Sequence, residues 1–174
     1  QKESHILSEQ IEVKALKGKN ASPNPNKGDA VKDVAIGNSM VLGNPKAPIT
    51  IIKWTDFQWP YCAKSVSLID EVLERYPNDV KVVFKSFPLG SHKQARKASQ
   101  YCIAAGRQGK FMDMFYAIFN NDQWRNLRNN EDLPLQLAVE LGLDINQLQE
   151  DMKDPSVDAL ITKEYNQDRK STRL

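Results

Sequence analysis

The stretch from Ile49 to Phe87 leaves this chain little choice of fold. It opens with a β-branched run, ITIIKW, passes a turn that ends in Pro60, continues as a polar-apolar segment, and closes with a second run, VKVVFKSF. Runs rich in Ile, Val and Thr suit the pleated surface of a buried strand. Between them Cys62, Val66, Ile69, Leu73 and Tyr76 recur at steps of three and four, while Glu71, Glu74 and Arg75 fall on other faces. That spacing predicts an amphipathic helix entered through Pro60 and stopped at Pro77 and Asn78. Two strands joined by such a helix are parallel, with a right-handed crossover. A shorter strand, SMVLG, is expected before them, separated by the NPKAP turn.

After Leu89 the strand signals stop. Segments near Lys93 to Arg107, Phe111 to Asn120, Leu133 to Leu141, Ile145 to Met152 and Val157 to Asp168 carry helical spacing, with polar breaks at NNDQW and NNEDLP and Asp144 placed as an N-cap. The chain divides into an N-terminal arm and linker at residues 1–36, a β-α-β part at 37–89, a helical subdomain at 90–168 and a polar tail at 169–174. The arm holds a weakly patterned stretch, Ile6 to Leu16, and the triplet Asn20-Ala21-Ser22, which fits a glycosylation acceptor.

At 174 residues the chain is long enough to bury roughly 70% of its unfolded surface without staples. A net charge of +2 implies no field for nucleic acid or an anionic membrane. No run reaches the roughly 18 apolar residues of a membrane span. With only His5 and His92 beside Cys62 and Cys102, neither a structural metal site nor a disulfide scaffold is expected, and no cofactor is called for.

The segments VLGNPKAPITIIKWTDFQWPYC, VVFKSFPLGSHKQARKAS and QGKFMDMFYAIF, together with the helix between the first two, resemble the DsbA-like branch of the thioredoxin-fold thiol:disulfide oxidoreductases. The resemblance runs from about Val41 to Leu160 and includes the P-Y-C, H-x-x-A and Q-G-K-F residues. It implies an α/β thioredoxin-like unit with an inserted all-helical subdomain, exported to the periplasm or another oxidising compartment. The implied partners are protein or peptide thiols and disulfides, exchanged without metal or organic cofactor.

Two departures shape the functional expectation. Members of that family carry C-P-x-C, whose first sulfur ionises readily at the mouth of the helix; here Trp59 stands at that position, and indole neither ionises nor attacks. Cys62 matches the second, resolving cysteine. The family also continues past its helical insert with a cis-proline strand, a further strand and a helix, and nothing here corresponds. A three-stranded sheet with an open edge and a bare face is therefore expected, pointing to a chain cut short or to a strand supplied by another copy. From these departures a weak or inactive redox protein is expected, with a redox-silent module that binds peptides or proteins around Trp59 as the alternative.

The site residues are Cys62 and Trp59, with Trp59, Pro60, Tyr61 and Phe57 facing substrate. Trp59 either packs on the helix start, grips apolar partner segments as aromatics at binding hot spots do, or is an altered position. Cys62 reads as an inert half-buried thiol ahead of a reactive one, and Cys102 as a core hydrophobe, though a bridge between the two is conceivable. Asp56 either tunes a nearby thiol or caps backbone N–H groups. His92 reads as a helix-start residue ahead of a general base, Phe111, Met114, Phe115 and Ile118 as core, and Lys93, Arg96 and Lys97 as a solvated face.

Overall fold

The computed structural model describes residues 34–171, so the expectations for the arm, its helix and the Asn20 acceptor lie outside the described residues. Within them, the β-α-β reading holds. Strand β1 spans Met40–Gly43, β2 Ile49–Thr55, helix α1 Pro60–Arg75 and β3 Val80–Ser86. The strands form one sheet ordered β1-β3-β2, in which β3 runs antiparallel to β1 and parallel to β2. Strand β3 lies between two partners, so it is the most buried of the three.

Register decides which side chains share a face. Met40 pairs with Phe84 and Leu42 with Val82, while Ile51 pairs with Val82 and Lys53 with Phe84. Paired residues project to the same side of the sheet. This face meets the helices, because Val82 and Phe84 join one apolar cluster with Cys62, Ala98, Cys102, Phe115 and Ile118. The opposite face is not bare at its centre, as the short sheet led us to expect. Val83 is 0% exposed and Lys85 2%. Lys85 Nζ donates to the carbonyls of Ala35 and Ile36 and to Gln167 Oε1, which ties residues 35–36 and the last helix to β3. Among the described residues β2 pairs only with β3, so its other edge carries no strand.

The helical part contains α2 (Ala95–Arg107), α3 (Phe111–Phe119), a 3₁₀ turn at Asn120–Asp122, a one-turn α4 (Gln123–Asn126), α5 (Leu133–Glu140), α6 (Ile145–Lys153) and α7 (Pro155–Ser171). Asp144 caps α6, accepting a hydrogen bond from Gln147 N at 3.0 Å. Two expected boundaries move. The NNDQW break contains the 3₁₀ turn and α4, elements too short to show a period in sequence. Helix α7 continues through residues 169–171, which were expected to form tail, because three charged residues in its last turn do not interrupt helical hydrogen bonding.

Arg96 lies on a solvated face, as expected, and there it straps α2 to α7. Its guanidinium donates to Asp158 Oδ1 and Thr162 Oγ1. Arg107, at the other end of α2, ties that helix to α6 and its C-cap, meeting Asp151 at 3.0 Å and Asp154 at 2.8 Å.

Candidate functional site

Strand β2 delivers its C-terminal end to the turn that starts α1, and Asp56 organises that turn. The residue is 1% exposed. Its Oδ1 accepts from Gln58 N at 2.7 Å, its Oδ2 accepts from Leu89 N at 2.8 Å, and His92 Nδ1 lies 2.9 Å from Oδ2 without the alignment of a hydrogen bond. Gln58 Oε1 in turn accepts from Gln94 N at 2.7 Å. A buried carboxylate needs such partners to offset its desolvation. Of the two roles read for Asp56, this geometry is the capping one. It pins the 56–58 turn to the 89–94 loop, and His92 completes the clasp at the entrance to α2.

At the mouth of α1, Trp59 occupies the N-cap with extended backbone (φ −91°, ψ 123°), and its side chain caps nothing. Cys62 N and Ala63 N bond to its carbonyl, and Pro60 fills the first helical position, where the missing N–H costs no helical bond. Trp59 is 43% exposed and Tyr61 66%. Their rings meet edge to face at 5.7 Å, and Lys64 Nζ sits 5.6 Å from the Tyr61 ring. This aromatic pair stands at the surface where the helix begins.

Cys62 lies one turn deeper, 4% exposed. Its Sγ accepts from Asp56 N at 3.4 Å and donates to Trp54 O at 3.7 Å. Burial pushes this thiol above its ordinary range, and the Asp56 carboxylate adds to the rise. The Asp56 N–H and the Lys53 ammonium pull it back without cancelling the effect. Lys53 is itself 8% exposed, and its Nζ donates to Ser65 Oγ at 2.8 Å, whose hydroxyl donates to Cys62 O at 2.9 Å. Burial lowers the Lys53 ammonium, a shift that a thiolate at Cys62 would oppose. The arrangement keeps the thiol protonated at neutral pH and holds it behind Trp59.

The residues expected to form the site are therefore split. Trp59, Pro60 and Tyr61 sit together at the surface with Cys62 beneath them. Phe57, expected to face substrate, is 3% exposed and stacks on Phe119 with ring centroids 5.1 Å apart. It contributes to the core under the turn, because the chain reverses after Asp56 and turns this ring inward. Cys102 is 1% exposed, and burial raises its thiol well above the ordinary value. Both cysteines are free, so the conceivable bridge between them is absent. Lys53, Gln58 and Gln94 join the site without belonging to any sequence motif. A lysine inside ITIIKW was a legible signal, since a charge in a buried strand needs a partner; the two glutamines gave none. Among the described residues no group of three His, Cys, Asp or Glu side chains could hold a metal ion, and no helix is long and apolar enough to cross a membrane.

A β-α-β unit with a cysteine-bearing helix mouth and a helical insert defines the DsbA-like thiol:disulfide oxidoreductase fold. The chain belongs to the thioredoxin family, whose sequence profile matches residues 35–172. It is similar to a thioredoxin-like oxidoreductase from Silicibacter pomeroyi at 30% identity, with a TM-score of 0.69 over 77% of this chain and 74% of that one. It shares its fold with Wolbachia pipientis alpha-DsbA1 (20% identity, TM-score 0.67, 79% of this chain and 71% of that one). Bacillus subtilis BdbD is a further fold neighbour (19%, 0.65, 80% and 79%). Among curated proteins, a chain named Na(+)/H(+) antiporter NhaA 1 from Mycolicibacterium gilvum is 32% identical over 117 residues, 65% of this chain. The matched stretch amounts to 18% of that much longer protein.

Proposed function

We propose that this chain is a DsbA-like protein with little or no capacity to catalyse dithiol–disulfide exchange. The observation that carries the reading is the inverted character of the helix mouth, where an indole stands in the open and the thiol is buried with its proton retained. Exchange needs a thiolate that can reach a partner sulfur. Trp59 offers no sulfur, and Cys62 has neither the charge nor the access to start the reaction. Location in the periplasm or another exported compartment, and protein thiols as ancestral partners, follow from the family resemblance. Ion transport forms no part of the reading, because the likeness to the antiporters spans so little of their length.

The direct test is oxidation of a reduced peptide, with a two-cysteine relative as positive control. Rates near that control would refute the proposal, whereas a rate indistinguishable from the uncatalysed reaction supports it.

A second reading is favoured by one further observation. Trp59 and Tyr61 are, with Val139, the exposed large hydrophobics among the described residues, and the first two touch each other. Aromatics in such pairs anchor protein segments. In this reading the chain holds an apolar peptide or partner protein at the helix mouth. Trp59→Ala then weakens peptide binding, and Cys62→Ala leaves it unchanged; equal loss in both variants would count against it.

A further inference from the structure

A cavity of about 340 Å³ lies on the helix-covered side of the sheet, bounded by β2 and β3, by α2 and by the first turns of α7. Most of its wall is apolar, formed by Met40, Phe57, Phe84, Phe111, Phe115 and Leu160. Protein interiors are otherwise packed with few voids larger than a water molecule. A cavity of roughly 150 Å³ suffices for benzene, and ligand pockets begin near 300 Å³, so this space is of ligand size.

Its polar end is specific. Thr55 lines the cavity at 3% exposure, and its Oγ1 is buried without a hydrogen-bond partner. Glu164 also lines it, 3% exposed, with Oε1 accepting from Ser39 Oγ and Oε2 from Ser86 N. Each carboxylate oxygen has a second lone pair left to accept another donor. Lys85 Nζ donates to the same Ser39 Oγ at 2.9 Å, so a buried positive charge already stands near the carboxylate. Arg107 also lines the cavity, but its guanidinium is already paired with Asp151 and Asp154, so a second cation would find the carboxylate answered by Lys85, and an anion would meet Glu164 beside two cations that are already engaged.

We propose that this cavity, with Thr55 and Glu164 at one end and a mostly apolar wall elsewhere, binds a small, neutral, mostly apolar molecule carrying one hydrogen-bond donor, of the indole or phenol class. The donor meets the free lone pairs of Thr55 Oγ1, the buried oxygen without a partner, and the ring system displaces what little water the apolar wall would hold. Neither Trp59 nor the Cys62 thiol takes part, so the site stands or falls independently of the redox reading.

Titration of the full chain with indole, phenol, toluene and benzoate, followed by ligand-observed NMR and thermal shift, tests this. Indole and phenol should saturate. Toluene, which lacks the donor, should bind about threefold to tenfold more weakly, the equilibrium equivalent of one modest hydrogen bond. Benzoate should not bind. Thr55→Val keeps the volume and removes the hydroxyl, and should bring indole down toward toluene while leaving toluene unchanged. Leu160→Trp fills the space and should abolish binding of indole, phenol and toluene; circular dichroism checks that it folds. Absence of saturation by every probe, toluene equal to indole in the unsubstituted protein, or undiminished indole binding in a folded Leu160→Trp protein would overturn the proposal.

Discussion

Replacing Trp59 by cysteine asks whether the helix mouth still has the electrostatics of a redox site. The backbone there is extended at the N-cap of a 16-residue helix, and Cys62 N and Ala63 N already point to the carbonyl of residue 59. A thiolate at that position would feel the positive end of the helix, a contribution of up to about 2 kcal/mol, or roughly 1.5 pK units. An ordinary thiol near pKa 8.5 would drop to about 7, raising its ionised fraction at neutral pH from roughly 3% to roughly 50%. Because nucleophilicity falls with basicity, about a fivefold loss per thiolate offsets that ~16-fold gain, leaving a net rise of about threefold over a free cysteine. The larger contrast is with the unsubstituted protein, whose Cys62 is 4% exposed and held protonated. Iodoacetamide alkylation followed by mass spectrometry over a range of pH should therefore find one fast thiol in Trp59→Cys, with a midpoint near neutrality. It should find none in the parent at neutral pH. Mild oxidation of the variant should also remove two hydrogens as the introduced thiol forms a bridge with Cys62. If Cys62 of the parent alkylates as fast as the new thiol, the account of a sealed and protonated sulfur is wrong.

Asp56→Ala should cost about 2 to 5 kcal/mol in urea unfolding, since it strands the N–H groups of Gln58 and Leu89 and releases His92, whereas Asp56→Asn should lose less because an acceptor oxygen remains. Phe57→Ala should destabilise by about 3 to 5 kcal/mol, and Tyr61→Ala by less than about 0.5 kcal/mol; comparable values for the two would contradict the division between core and surface. Both thiols titrate higher in the folded state than in the unfolded chain, so their contribution is complete below the unfolded value and declines as pH rises through it. The stability difference between the parent and a Cys62→Ala, Cys102→Ala double variant should therefore shrink above about pH 8.5, as urea midpoints across that range would record. A difference that stays flat into the alkaline range would refute the shifted thiols.

The architecture was legible in the sequence because it is written in local periodicity. ITIIKW and VKVVFKSF could bury themselves only as strands, and the steps from Cys62 to Tyr76 admit one helix face. The helical insert followed from similar spacing, with Asp144 marking a start that side-chain capping chemistry makes visible. Trp59 and Cys62 were likewise readable as a helix mouth with one sulfur, since their spacing from Pro60 places them within a single turn. What the sequence could not supply was the direction of side chains after β2 ends. Phe57 and Tyr61 are both aromatic residues near the motif, yet one stacks on Phe119 in the core and the other stands in solvent. The Asp56 clasp, the Arg96 strap and the cavity beside Thr55 each join residues more than thirty positions apart, or depend on how separate helices approach the sheet. Periodicity records which residues want to be buried. Only the packed chain decides against what, and that choice protonates Cys62, fixes the loop at His92 and leaves space behind Phe84.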